Sequence, residues 1–256
     1  MSNLIQQLLK SKDLTKFCDA IKQHALNNGA RLCGVDYCHD RVSFKLYVEL
    51  MSIPDKQCIK QFLSNESATS FVDYCKHWDS SRKSGLAFGI KVDTLGNTRS
   101  YYHIKFKQSF VFDEVYSQLV FLKLLGINAS MLAKGISAEV DSNNNFVIKH
   151  YYYVTDKTHI AKVLSYKKFA IKDIDLIREL EIYATKTKHK INIIYNDDGF
   201  KVDADVWEHI PDKYKKQVTQ DIKTLGSDPS YVGRTSDDVL SVYYSLTNKS
   251  NNILNI

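Results

Sequence analysis

Strand side chains alternate between the two faces of a sheet, so residues two apart share a side. Three strand-like runs of this chain place a basic residue and a tyrosine at that spacing: Lys45 and Tyr47, Arg99 and Tyr101, Lys149 and Tyr151. The pattern thins to Lys201-Val202-Asp203 in a fourth run and to Ser241-Val242-Tyr243-Tyr244 in a fifth. The alternate positions are apolar, with Phe44, Leu46 and Val48, then Tyr102, Ile104 and Phe106, then Phe200, Val202 and Val206. One face of each run therefore needs a packed cover, and the other carries cations and tyrosines together. A sheet that turns its apolar face toward helices must place those charges on its other side, either in water or inside a closed ring.

The intervening sequence supplies the cover. Residues 3 to 28 carry Leu4, Leu8, Leu9, Phe17, Cys18 and Ile21 at helical intervals, and Asn27-Asn28-Gly29 suits a helix stop. Further helical spacing follows Pro54, runs from Asp113 to Leu125, follows Thr155-Asp156 to about Lys188, and runs from Pro211 to Leu225-Gly226. Between these segments lie hairpins at about 31–50, 86–107, 135–154, 190–208 and 230–247, with turns at Leu95-Gly96-Asn97, Ser142-Asn143-Asn144 and Asp197-Asp198-Gly199. Ten strands in five hairpins can end as an open sheet, as two ferredoxin-like sheets or as a barrel. The polar face favours closure, which removes exposed edges and turns the cations into a lumen. The expected fold is α+β: a ten-stranded antiparallel barrel of five repeated helix-hairpin units, with helices wrapped around the outside.

Nothing in the composition marks a linker, since only three prolines occur in 256 residues, so one domain over 1–256 is expected. Hydrophobic content of 44% is enough to fill a sizeable core. All five cysteines (Cys18, Cys33, Cys38, Cys58, Cys75) lie in the first third and are odd in number, and no basic, apolar leader opens the chain. Those features point to a reducing cytoplasm. No apolar run approaches the roughly 18 residues that span a bilayer. A net charge of +6 attracts anions without naming one.

The five-hairpin order and the basic-x-tyrosine strands resemble the soluble aromatic prenyltransferases of the ABBA type. Local matches are Gly89-Ile90-Lys91-Val92-Asp93 turning into Thr98-Arg99-Ser100-Tyr101, the Lys149-x-Tyr151 strand, and Val242-Tyr243-Tyr244-Ser245-Leu246-Thr247. The last resembles the tandem tyrosine of bacterial members, including the cyanobactin-type enzymes that prenylate cyclic peptides. The resemblance covers the chain as architecture and is loose as sequence; Asp203 stands where the fourth strand pair would carry a tyrosine. It implies a transferase of secondary metabolism that moves a dimethylallyl or geranyl group from its diphosphate to an electron-rich aromatic small molecule or a peptide side chain. Lys45, Arg99, Lys105, Lys149 and Lys201 would then hold the diphosphate, and Tyr47, Tyr101, Tyr151, Tyr153 and Tyr243 would shield the allyl cation.

The chemistry suits those residue types independently of any family. Fixed cations stabilise the charge that develops on a departing diphosphate, and each aromatic face lends an allyl cation roughly 0.5–2 kcal/mol. Excluding water keeps the cation from being quenched. The acceptor must lose a proton, and Glu49, Glu139 and Asp36 have the right parity to face it; each also reads as a simple salt-bridge residue. The chain has no DDxxD sequence, so no obligatory cofactor is expected, with Mg2+ allowed but not required. Nucleotide, kinase and hydrolase motifs are missing as well. The expected partners are a prenyl diphosphate and its acceptor, with no nucleic acid, no membrane and a monomeric state. The competing reading is a non-catalytic protein that binds an anionic ligand or RNA through the same residues on an open sheet face.

Overall fold

A computed structural model of the chain describes residues 4–23, 31–50, 83–106, 133–141, 143, 145–154, 178, 191–196, 199–204, 210–235 and 239–246. Helix α1 (Leu4–Leu8) and helix α2 (Lys12–Gln23) precede strands β1 (Arg31–Tyr37) and β2 (Val42–Leu50). Strands β3 (Lys83–Asp93), β4 (Thr98–Phe106), β5 (Ala133–Asp141), β6 (Phe146–Val154), β7 (Ile191–Asn196) and β8 (Gly199–Ala204) follow. Helix α3 (Asp212–Leu225) then leads to β9 (Pro229–Thr235) and β10 (Leu240–Ser245). Each strand pairs antiparallel with its neighbours in chain order, and β1 also pairs with β10, from Leu32 opposite Ser245 to Tyr37 opposite Leu240. The ring is closed, and its backbone donors and acceptors are used within it.

The fold-class expectation needs correction in its helices. Five helix-hairpin units, each with its own helix on the outside, are not what the described residues show. Apart from helical backbone at Arg178, they hold three helical segments, ahead of the first and last hairpins alone. The segments of helical spacing after Pro54, at 113–125 and at 155–188 lie outside the described residues, except for residue 178. The helix expected over 3–28 is also two helices. Lys10 N donates to Gln7 O and Ser11 N to Leu8 O, tightening the end of α1 into i→i+3 bonds. Ser11 then caps α2, its Oγ accepting from Leu14 N at 3.2 Å.

What these helices cover is the outer face of the first hairpin and its neighbours. Phe44, Leu46 and Val48 of β2 are fully buried, as are Cys33 and Val35 of β1 and Val242 and Tyr244 of β10. Helix α1 lies against β2, and α2 against β3, where Thr98 of the adjoining strand donates to Asp13 at 2.7 Å. Helix α3 buries Tyr214, Val218, Asp221 and Leu225, a stripe at i, i+4, i+7 and i+11. Its Tyr214 ring meets that of Tyr37 in β1 at 5.6 Å. The helix stops at Gly226, whose φ of 66° is left-handed and whose N–H donates to Ile222 O.

Candidate functional site

Register sets the inner face. Lys45 of β2 stands opposite Lys91 of β3, and Lys91 opposite Arg99 of β4, so three cations form one cross-strand row. Like charges directly opposite one another destabilise a sheet, so this row needs anions. Asp141 of β5 stands opposite Arg99, and two buried carboxylates answer the rest. Asp36 of β1 meets Lys45 at 2.9 Å and Lys91 at 2.8 Å, and accepts from Ser241 Oγ of β10 at 2.7 Å. Glu139 of β5 is bound by Lys149 of β6 and approached by Arg99 at 3.7 Å.

Immediately beside the cationic row lies an aromatic one. Gly89 of β3 stands opposite Tyr47 on one side and Tyr101 on the other, and Tyr101 stands opposite Glu139. The two tyrosine rings are 5.6 Å apart. A Cβ on Gly89 would lie 2.2 Å from Leu46 O and 2.5 Å from Tyr47 Cβ, so only glycine lets β2 and β3 come this close. Gly34 of β1 has a related use: a Cβ there would fall 2.9 Å from the Tyr243 ring. That ring receives Lys201, whose Nζ lies 4.8 Å from the centroid and donates to Tyr243 OH at 2.6 Å. Two residues further along β4, His103 Nδ1 shares a hydrogen bond of 2.9 Å with Tyr101 OH.

Burial grades across this belt. The Asp36 side chain is 5% exposed and that of Lys45 10%, against 22% for Lys149 and 40% for Arg99. The Arg99 end is therefore the accessible one. Charge follows the same grade. Burial alone would raise the Asp36 and Glu139 carboxyls, but the surrounding lysines override it and hold both well below the usual carboxylate range. Burial would likewise lower Lys45, yet Asp36, Tyr243 and Glu139 hold it well above its ordinary value. Lys149 behaves oppositely. Burial lowers its pKa, and repulsion from Lys45 and Lys91 adds to that against the pull of Glu139. Burial is the largest of these effects, and the attraction of Glu139 only partly offsets it.

Of the residues expected at the site, Lys45, Arg99, Lys149 and Lys201 line this inner face with Tyr47, Tyr101, Tyr243, Asp36 and Glu139. Lys45, Arg99 and Lys149 are brought together through Glu139 and its surroundings. The side chains of Glu49, Lys105, Tyr151 and Tyr153 lie outside the described residues. Asp36 and Glu139, expected to face the acceptor's proton, are each paired with two cations. Lys91, which the sequence shows only within a local match and not as a site residue, sits on the first strand of its hairpin, whereas the basic-x-tyrosine pattern lies on the second. His103 likewise was not singled out as a site residue, although it shares parity with Arg99 and Tyr101. Among the described residues no three His, Cys, Asp or Glu side chains group as a metal site, and no helix is long and apolar enough to cross a membrane. Compared with known proteins, the chain matches no family model and no curated protein.

Proposed function

We propose that this protein is a prenyltransferase that binds dimethylallyl or geranyl diphosphate inside the ring and transfers the prenyl group to an electron-rich aromatic compound or peptide side chain. The observation that carries the reading is the cross-strand row Lys45, Lys91, Arg99 lying directly beside the row Tyr47, Gly89, Tyr101 on the inner face. A diphosphate suits the first row and the allyl portion suits the second. Five described cations, Lys45, Lys91, Arg99, Lys149 and Lys201, share this belt with the described carboxylates Asp36 and Glu139, and with Asp141, which stands opposite Arg99. An excess of positive charge among these described residues favours an anion that carries several negative charges. An RNA-stacking surface would need these residues on an open sheet face, whereas here they share the inner side of a closed ring.

In the proposed reaction the allylic C–O bond breaks and the diphosphate keeps its electron pair, which Arg99, Lys149 and Lys91 stabilise. The rings of Tyr47 and Tyr101 face the cation and exclude water. The acceptor attacks C1, and its proton leaves. Mg2+ is allowed but not required, and the proposed location is the cytoplasm. Calorimetry with geranyl and dimethylallyl thiolodiphosphate, with and without Mg2+, tests the reading. The parent protein is expected to bind, and Arg99→Ala and Lys149→Ala to lose about tenfold or more, since a hydrogen bond to a charged group contributes about 1.5–3 kcal/mol. Absence of binding to either analogue would overturn it.

A further inference from the structure

The proposed transfer needs a proton acceptor, and the carboxylates of the belt do not provide one. Asp36 is held by Lys45, Lys91 and Ser241, and Glu139 by Lys149 and Arg99. A carboxylate stabilised to that degree in its ionised form is a weak base. Histidine is the side chain whose ordinary pKa of about 6.5 fits proton removal near neutrality. His103 is buried on the inner face two residues beyond Tyr101, and its Nδ1 meets Tyr101 OH at 2.9 Å. The Tyr101 ring in turn lies 5.6 Å from that of Tyr47, in the row proposed to face the allyl cation. The bond therefore links the aromatic row to a buried base.

We propose that Tyr101 and His103 form the proton relay for the acceptor, and that the acceptor is a phenol or another aromatic whose proton is released as the new bond forms. This inference rests on the prenyl-transfer reading. His103 enters with its proton on Nε2 and with the Nδ1 lone pair toward Tyr101. As the acceptor attacks the allyl carbon, its proton passes to the Tyr101 oxygen while the Tyr101 proton passes to Nδ1. The acceptor is left neutral after the new bond forms, Tyr101 is unchanged, and His103 becomes an imidazolium that returns its proton to water on product release. Tyr101 is the group that touches substrate; His103 acts through it. The charged and titratable groups that face this pair are Arg99 on the same strand, Lys91 on β3, Glu139 on β5, where Ser137 stands directly opposite His103, and Lys149 on β6.

The test combines binding, turnover and spectroscopy on the full chain, with geranyl diphosphate as donor and 1-naphthol as acceptor. Tyr101→Phe and His103→Ala are expected to bind geranyl thiolodiphosphate within about twofold of the parent protein. Their kcat is expected to fall about 100-fold or more, as loss of a general base typically costs, with little change in KM for the donor. The parent's kcat should rise with pH through the histidine range, and that limb should vanish in His103→Ala and return in part with added imidazole. In the parent complex with thiolodiphosphate, 1-naphthol should shift the His103 Nδ1 resonance, and in Tyr101→Phe it should not. Intact kcat in His103→Ala, a persisting acid limb, or a parent complex showing neither transfer nor that shift would overturn the relay while leaving diphosphate binding in place. A parent protein that fails to bind the thiolodiphosphate would remove the transfer reading itself and the relay with it.

Discussion

Replacing Asp221 with asparagine should change how stability depends on pH. Asp221 lies on the buried stripe of α3, is 4% exposed, and its Oδ2 has no hydrogen-bond partner. Its neighbours are apolar or weakly acidic: the Cys33 thiol on β1 and the Tyr244 phenol on β10, both pushed up by burial and by Asp221 itself. Burial pushes the Asp221 carboxyl up to about 8. In the unfolded chain the same group titrates near 4. Between those values the folded state keeps a proton that the unfolded state has lost, so stability falls as pH rises. The slope is at most about 1.4 kcal/mol per pH unit, and the whole window spans roughly 5 kcal/mol as a ceiling. Asparagine removes that titration but leaves a buried amide that costs about 1–3 kcal/mol, so the slope, not the absolute stability, carries the result. Urea unfolding of both proteins at pH 5, 6, 7 and 8 measures it. The variant should lose less stability per pH unit than the parent across this range, and parallel lines would refute a buried neutral carboxyl under α3.

Gly89→Ala should destabilise the protein by about 3 kcal/mol or more, the upper range for overpacking, because its Cβ would strike the backbone of β2; Gly34→Ala should cost less, since the obstacle is the Tyr243 ring, which can rotate. Equal unfolding midpoints for Gly89→Ala and the parent would show that β2 and β3 lie further apart than described. For Lys149, whose pKa is depressed, affinity for geranyl thiolodiphosphate should fall as pH rises through that lowered value, by up to about tenfold per pH unit for one proton. Calorimetry from pH 7 to 10 would show this as proton uptake on binding, and a flat profile would place the anion elsewhere.

Local chemistry made part of this structure legible. Period-two alternation places Lys45 with Tyr47 and Arg99 with Tyr101, and the register keeps each pair on the inner face. Leu225-Gly226 reads as a helix stop because a left-handed residue is needed there, and Gly226 has that φ. Other features were written in the sequence but require a different question. Asp93 and Asn97 bracket one turn and Asp141 and Asn145 another; in both the aspartate Oδ1 accepts from two backbone N–H groups and Oδ2 from the asparagine amide. That repeated D-x3-N pattern fixes two hairpins, and a search for glycine turns misses it. Ser11 likewise signals a cap inside what periodicity alone reads as one helix. What remained hidden is non-local. Asp36 and Ser241 meet across 205 residues, and no spacing rule connects them. The helix-per-hairpin repeat came from apolar periodicity in segments beyond the described residues, so the three described helical segments do not carry it.

The carboxyls of this protein titrate in opposite senses because their surroundings differ in one respect. Asp36, Glu139 and Asp221 are all buried, which by itself raises each of them. Around Asp36 and Glu139 stand lysines from neighbouring strands, and their attraction exceeds the cost of burial. Their folded pKa values are depressed, so the stability they contribute is present above the unfolded carboxylate range and is lost as pH falls through the folded values. Around Asp221 stand a thiol, a phenol and apolar side chains, so burial prevails and the sign reverses. The inner face is thus an ionised environment at neutral pH and the face under α3 a neutral one. Replacing a buried ion network with well-packed apolar residues is often neutral or stabilising, so stability alone does not require the described charges on the inner face. The described cations of this belt outnumber its described carboxylates, and the diphosphate of the proposed reaction would balance them.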